Sequence, residues 1–106
     1  MLKNELKVLT TTAQTLVTDA HQSARVLNIH FCNPTATTTT FELTLTDKAG
    51  TKVTLRKAKS LAQNAEDDIS YMIVLEKGDK LEALASVADK INVLVNYEPY
   101  NGSSIA

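Results

Sequence analysis

The chain has 106 residues, of which 43% are apolar and 22% charged, and it carries a formal charge of -1 at neutral pH. That length fits one core rather than two, and so small a charge gives no field to draw nucleic acid or an anionic membrane surface. The single cysteine, Cys32, excludes an internal disulfide framework, so burial of apolar side chains must hold the domain together.

The opening residues Met1, Leu2, Lys3, Asn4 and Glu5 include an acid and lead into no apolar run, which does not fit a secretory signal. No stretch approaches the roughly 20 apolar residues of a membrane helix, and a soluble domain is expected. Residues 6–19 are rich in Thr and branched side chains, which favour a pleated surface and predict two short strands. After the polar residues 19–23, residues 24–32 alternate, with Leu27, Ile29 and Phe31 on one face as predicted core. That run stops at Asn33 and Pro34, because a residue before proline is pushed towards extended conformations and proline cannot donate to a ladder. The Thr-rich residues 35–40 lead into the strictest alternation in the chain, with Phe41, Leu43 and Leu45 inward and Glu42, Thr44 and Thr46 outward. Asp47, Lys48, Ala49 and Gly50 form a turn, and Val53 and Leu55 return at period two, predicting a hairpin with one core face.

Residues 57–68 are the one region with near-helical spacing, at Ala58, Leu61, Ala62 and Ala65, but they are too short and weakly apolar to stand alone; a loop with at most one helical turn is expected. Residues 69–75 predict a strand. Residues 73–84 then read as strand, tight turn, strand around Gly78, which enters positive φ without steric cost beside Asp79, whose side chain can bond nearby backbone. A last strand over residues 91–97 places Ile91, Val93, Val95 and Tyr97 on one face, before a Ser-rich end. About eight short strands at this spacing, with no long helix between them, predict an all-β fold: a single antiparallel β-sandwich of jelly-roll or Greek-key type. The sandwich is expected over residues 1–98, with a tail over 99–106; one or both of that tail and residues 1–6 are expected to be arms that order only on assembly.

Few residues invite chemistry. His21, His30 and Cys32 are ligand types for zinc, but a structural zinc needs four ligands and there is no second cysteine. Cys32 as a small hydrophobe and His30 as a strand residue are the favoured readings. Glu66, Asp67, Asp68, Glu76, Asp79 and Glu82 match no calcium-loop pattern and read as solvated turns, with an acid capping a helical turn after Leu61. A Cys32 nucleophile would lack an orienting third group. No catalytic, cofactor or metal site is expected. The Thr tract could present hydroxyl and methyl rows to ice, sugar or a partner strand, yet a loop entering an edge strand accounts for it.

The run Ala24-Arg25-Val26-Leu27-Asn28-Ile29-His30-Phe31-Cys32-Asn33-Pro34-Thr35, the corner Ile73-Val74-Leu75-Glu76-Lys77-Gly78-Asp79-Lys80-Leu81 and the terminal Ile91-Asn92-Val93-Leu94-Val95-Asn96-Tyr97-Glu98 carry a resemblance. Over residues 9–98 the chain resembles small β-sandwich virion proteins of tailed bacteriophages. The motifs are structural and bring no catalytic residue across. The resemblance implies a non-enzymatic structural subunit, made in the host cytoplasm and carried in the virion as a head decoration, neck, collar or connector piece. Its partners would be copies of itself and other virion proteins. The alternative is a carbohydrate- or host-surface-binding sandwich of a phage tail or bacterial adhesin. Sugar platforms stack on exposed aromatic rings, and a chain with no Trp, three Tyr and two Phe has few to offer, which favours the structural subunit.

Overall fold

Alternating branched and aromatic side chains give the chain a series of extended segments, and each must bury one face. The computed structural model describes residues 2–18 and 22–100, and among these it has nine strands and no helix. They are β1 (Lys3–Val8), β2 (Gln14–Thr18), β3 (Ser23–Cys32), β4 (Thr39–Thr46), β5 (Lys52–Leu61), β6 (Glu66–Ile69), β7 (Ile73–Leu75), β8 (Lys80–Ala85) and β9 (Asn92–Tyr100).

Their pairings nest. The β4–β5 hairpin is innermost, β3 pairs with β6 and β7 outside it, β2 pairs with β8 outside those, and β1 pairs with β9 outermost, all antiparallel. Rolling this ribbon sends successive levels alternately into two layers. One sheet has the order β1-β9-β3-β6, with β7 also on β3, and the other has the order β2-β8-β4-β5. The fold is therefore a jelly-roll sandwich.

The core lies between the sheets and includes Val26, Ile29, Phe31 and Val95 from the first and Phe41, Leu43 and Leu81 from the second. Phe31 and Phe41 stack across it with ring centroids 4.1 Å apart and planes at 23°. Full burial of each ring is worth roughly 1.5–3 kcal/mol, so this pair is one clasp between the layers.

Asn33 is a polar exception, 0% exposed at the end of β3. Its Nδ2 donates to Thr37 O at 2.8 Å and Leu61 O at 2.9 Å, while its Oδ1 accepts from Thr35 N at 3.0 Å and Thr35 Oγ1 at 2.7 Å. Its backbone N–H donates to Ala65 O and its carbonyl accepts from Asn64 N. One amide thus ties the β3–β4 connection to the β5–β6 turn, with no buried group left unpaired on it.

The structure corrects several expectations. Leu27 is only half-buried: the β3–β9 register slips between Val26 and Asn28, so Leu27 is the extra residue of a bulge, and the core face runs Ala24, Val26, Ile29, Phe31. Val53 is 52% exposed because β5 is the outer strand of its sheet and overhangs the core there. Residues 57–68 hold no helical turn; the first five extend β5, residues 62–65 turn, and the acids Glu66, Asp67 and Asp68 lie in β6 rather than in a turn. The strand expected over residues 69–75 is interrupted, with β6 and β7 occupying separate stretches of the same side of β3.

Gly78 does take positive φ, at 84°, but its corner is not a hairpin: β7 pairs in the first sheet and β8 in the second, so the chain crosses between layers there. Asp79 fixes the crossing, accepting from Glu76 N at 3.0 Å and from Lys48 N of the β4–β5 turn at 3.1 Å. Residues 3–6 are no free arm, since they lie in β1 and pair with β9. At the other end β9 runs two residues past the expected boundary, with Pro99 opposite Ala24 and Tyr100 opposite Ser23; residues 101–106 lie outside the described residues.

Candidate assembly surfaces

The residues that invited chemistry are held in structural ties. His30 lies on the outer face of the first sheet, with Nδ1 2.6 Å from Asp68 Oδ1 and Nε2 3.2 Å from Glu66 Oε1. Cys32 shares that face and is half-buried. Period two splits the acidic run, turning Asp67 the other way, where its Oδ2 accepts from Arg56 Nε at 2.8 Å. This hydrogen bond, the largest influence on Arg56, raises the guanidinium further above its already high range, and the pair bridges β5 of one sheet and β6 of the other. Glu82 accepts from Thr46 Oγ1 at 3.3 Å and lies 3.7 Å from Lys80 Nζ. His21 is outside the described residues, and among those described no cluster of His, Cys, Asp and Glu could hold a metal ion. Two hydroxyls of the Thr tract are spent locally, Thr35 Oγ1 bonding Asn33 and Thr39 Oγ1 donating to Thr37 O, and the backbone N–H of Thr40 donates to Ser86 Oγ.

What the fold presents outward is sheet edge. A free edge is a row of unpaired N–H and C=O groups that another chain can complete, and natural sandwiches blunt such rows with bulges, lysines, brevity or breaks. Three of the edges here are blunted. β5 carries exposed Lys52, Lys57 and Lys59, shifts register twice against β4, and contains Ala58 at φ 46°. β2 has five residues and a register shift between Thr15 and Val17. The opposite edge of the first sheet is divided between β6, of four residues, and β7, of three.

β1 is different. Its six residues pair with β9 in unbroken register, and it ends in no bulge. Glu5 and Lys7 stand opposite Val95 and Val93 and so share the inward face, whereas Asn4, Leu6 and Val8 stand opposite Asn96, Leu94 and Asn92 on the outward face. Leu6 is 71% exposed and Val8 47%, with Leu2 just before the strand at 63%. Sequence reasoning missed this edge because its apolar positions follow period two with the wrong sense: they face away from the core.

No protein-family model and no curated protein matches the chain. Solved structures do. A chain of the Bacillus endospore appendages, which form disulfide-linked pili, superposes with a TM-score of 0.60 at 11% identity, covering 95% of this chain and 85% of that one. A pentameric capsid protein from metagenomic phage sequences gives a TM-score of 0.56 at 16% identity, with 91% of this chain spanning 61% of that longer one. The capsid of Helicobacter pylori bacteriophage KHP30 gives 0.55 at 14% identity, covering 94% of this chain and 86% of its counterpart. At such identities the likeness establishes a common jelly-roll fold.

Proposed function

We propose that the chain is a non-enzymatic structural subunit of a virus particle, present in many copies. Within that class the reading is a tailed-bacteriophage virion protein: a head decoration, a neck or collar piece, or a connector-associated subunit. Its partners are copies of itself and adjoining virion proteins, without cofactor, nucleic acid or membrane, and its place is the virion after synthesis in the host cytoplasm.

The observation that carries this reading is the contrast among edges. Three edges are blunted against pairing while β1 stays regular and apolar on its outward face. A repeating subunit needs a place for its neighbour, and β1, although it carries Lys3 and Lys7, offers the most regular of the four edges. The phage capsid chains among the fold neighbours support the virion as the setting.

A surface-binding sandwich is less well supported, since Tyr71 is the one aromatic ring among the described exposed side chains. A pilus-like filament is favoured by the endospore appendage likeness, but a polymer linked through disulfides needs at least two cysteines per subunit and these 106 residues hold one. Immunogold labelling of purified particles tests the proposal. Label at one position on intact particles, head, neck or tail, is expected; label confined to unassembled lysate overturns it.

A further inference from the structure

The open edge of β1 is self-complementary in one register. The Leu9 N–H donates to Ile91 O at 2.9 Å, and the unbroken register carries this pattern in steps of two back to Lys7, Glu5 and Lys3. Their backbone groups are spent on β9. Those of Asn4, Leu6 and Val8 point away from the sheet, so any added strand must bond to these residues.

We infer that a second copy of this chain docks there, β1 against β1 and antiparallel, with the two-fold axis at Leu6. Leu6 then pairs with its own counterpart, Asn4 with Val8 of the second copy and Val8 with Asn4, each pair exchanging two N–H···O=C bonds. Between them, on the inward face, Glu5 falls directly opposite Lys7 of the second copy and Lys7 opposite Glu5. On the outward face Leu94, which flanks Leu6 in the same sheet, extends the contact into a continuous row of leucines, Leu94-Leu6 from one copy meeting Leu6-Leu94 from the other. The first sheet becomes one sheet running through both copies, with a closed, isologous joint.

Charge selects the register. Sliding by one pairing step in either direction sets like charges opposite each other: Glu5 against Glu5 with Lys3 against Lys7, or Lys7 against Lys7. Sliding further towards the N-terminus restores Lys3 opposite Glu5, but it draws on Leu2, outside the strand, and abandons Val8. The Leu6-centred register alone keeps opposite charges together with residues 4–8 all in the strand. This contact rests on the same open edge that carries the virion reading, but that reading also allows an adjoining virion protein at β1, so the dimer can fail without overturning it.

Charge-reversal variants test it; because Glu5 and Lys7 are half-buried and also pair within the strand, Lys7 Nζ 3.7 Å from Glu5 Oε1, thermal melting of each variant is the control for folding. Glu5→Lys and Lys7→Glu should each turn two attractive pairs into two repulsive ones and weaken dimerisation by roughly tenfold or more in sedimentation velocity. Mixed together, the two variants should form a heterodimer, Lys opposite Glu at both places, as tight as the parent homodimer; the double variant should dimerise with itself. In the register through Lys3, Lys7→Glu would have no effect. A hydrogen-bonded pair across such a joint has its Cα atoms about 5.5 Å apart and its Cβ atoms too far apart for an unstrained disulfide but within reach of a short bis-maleimide, so Leu6→Cys in a Cys32→Ala background should be cross-linked between copies by that reagent. A parent chain that stays monomeric at its solubility limit, single variants that associate as the parent does, or Leu6→Cys chains that do not cross-link would each overturn the inference.

Discussion

Replacing Asn33 by alanine should be among the most damaging single changes outside the apolar core. The side chain is 0% exposed and makes four hydrogen bonds, two given by Nδ2 and two accepted by Oδ1. A net contribution of about 1 kcal/mol per bond gives about 3–4 kcal/mol, and the carbonyl of Leu61, buried beside it, loses a partner that water cannot easily replace. For a domain with a total stability of roughly 5–15 kcal/mol that is a large share, equivalent to about 15 °C or more in Tm at this size. Thermal melting followed by circular dichroism reads the effect. Asn33→Asp sharpens the test: it keeps the shape and the acceptor for Thr35 but sets an oxygen against the carbonyls of Thr37 and Leu61, so it should cost at least as much as alanine. If the alanine variant melts within a few degrees of the parent, or the aspartate variant is neutral, the tie between the β3–β4 and β5–β6 connections does not hold the fold as described.

Phe41→Ala should cost about 3–5 kcal/mol in urea unfolding, since it removes half of the stacked pair that clasps the two sheets. Gly78→Val should cost roughly 1–3 kcal/mol through its positive φ, with a further penalty because a Cβ there sits 3.0 Å from Lys48 Cβ. Gly50→Val is the control, at φ 94° with nothing within 4 Å of the added Cβ, and melting should show it the milder of the two. The Arg56–Asp67 pair, only partly exposed, should show a coupling of about 1 kcal/mol in a double-mutant cycle, falling as salt is added; a coupling of zero would mean that the seam between β5 and β6 closes without it.

The parts of the fold that were legible in the sequence are those with an inner and an outer face. In β4 and β9 strict alternation placed Phe41, Leu43, Val93 and Val95 correctly, because a strand in the middle of a sheet over a core has no other way to bury its apolar side. Edge strands escape that logic. β5 shows period two only at Val53 and Leu55 before its lysine-bearing second half, while β6 places only Ile69 in the core and is otherwise held by Arg56 and His30, so the second half of β5 and all of β6 lack the period that reveals a strand. The bulge at Leu27 reverses the phase of β3 midway, and it shows only in the register against β9, a strand remote in sequence. Likewise Gly78 announces a turn, but the sheets that the flanking strands join depend on pairings with β3, β2 and β4 that no local signal encodes. The β1 edge was missed for the same reason: an exposed leucine has meaning only once the strand is known to lie at an open margin.

Whether this chain is a repeated part of a particle is settled by counting it there. Quantitative mass spectrometry of gradient-purified virions, calibrated with isotope-labelled peptides of this chain and referenced to particle number, gives copies per particle. A structural subunit predicts a fixed count of several or more that survives salt washes and recurs between preparations. Absence from the particles, or a trace amount that varies with washing while the chain remains in the unassembled fraction, would contradict the structural role.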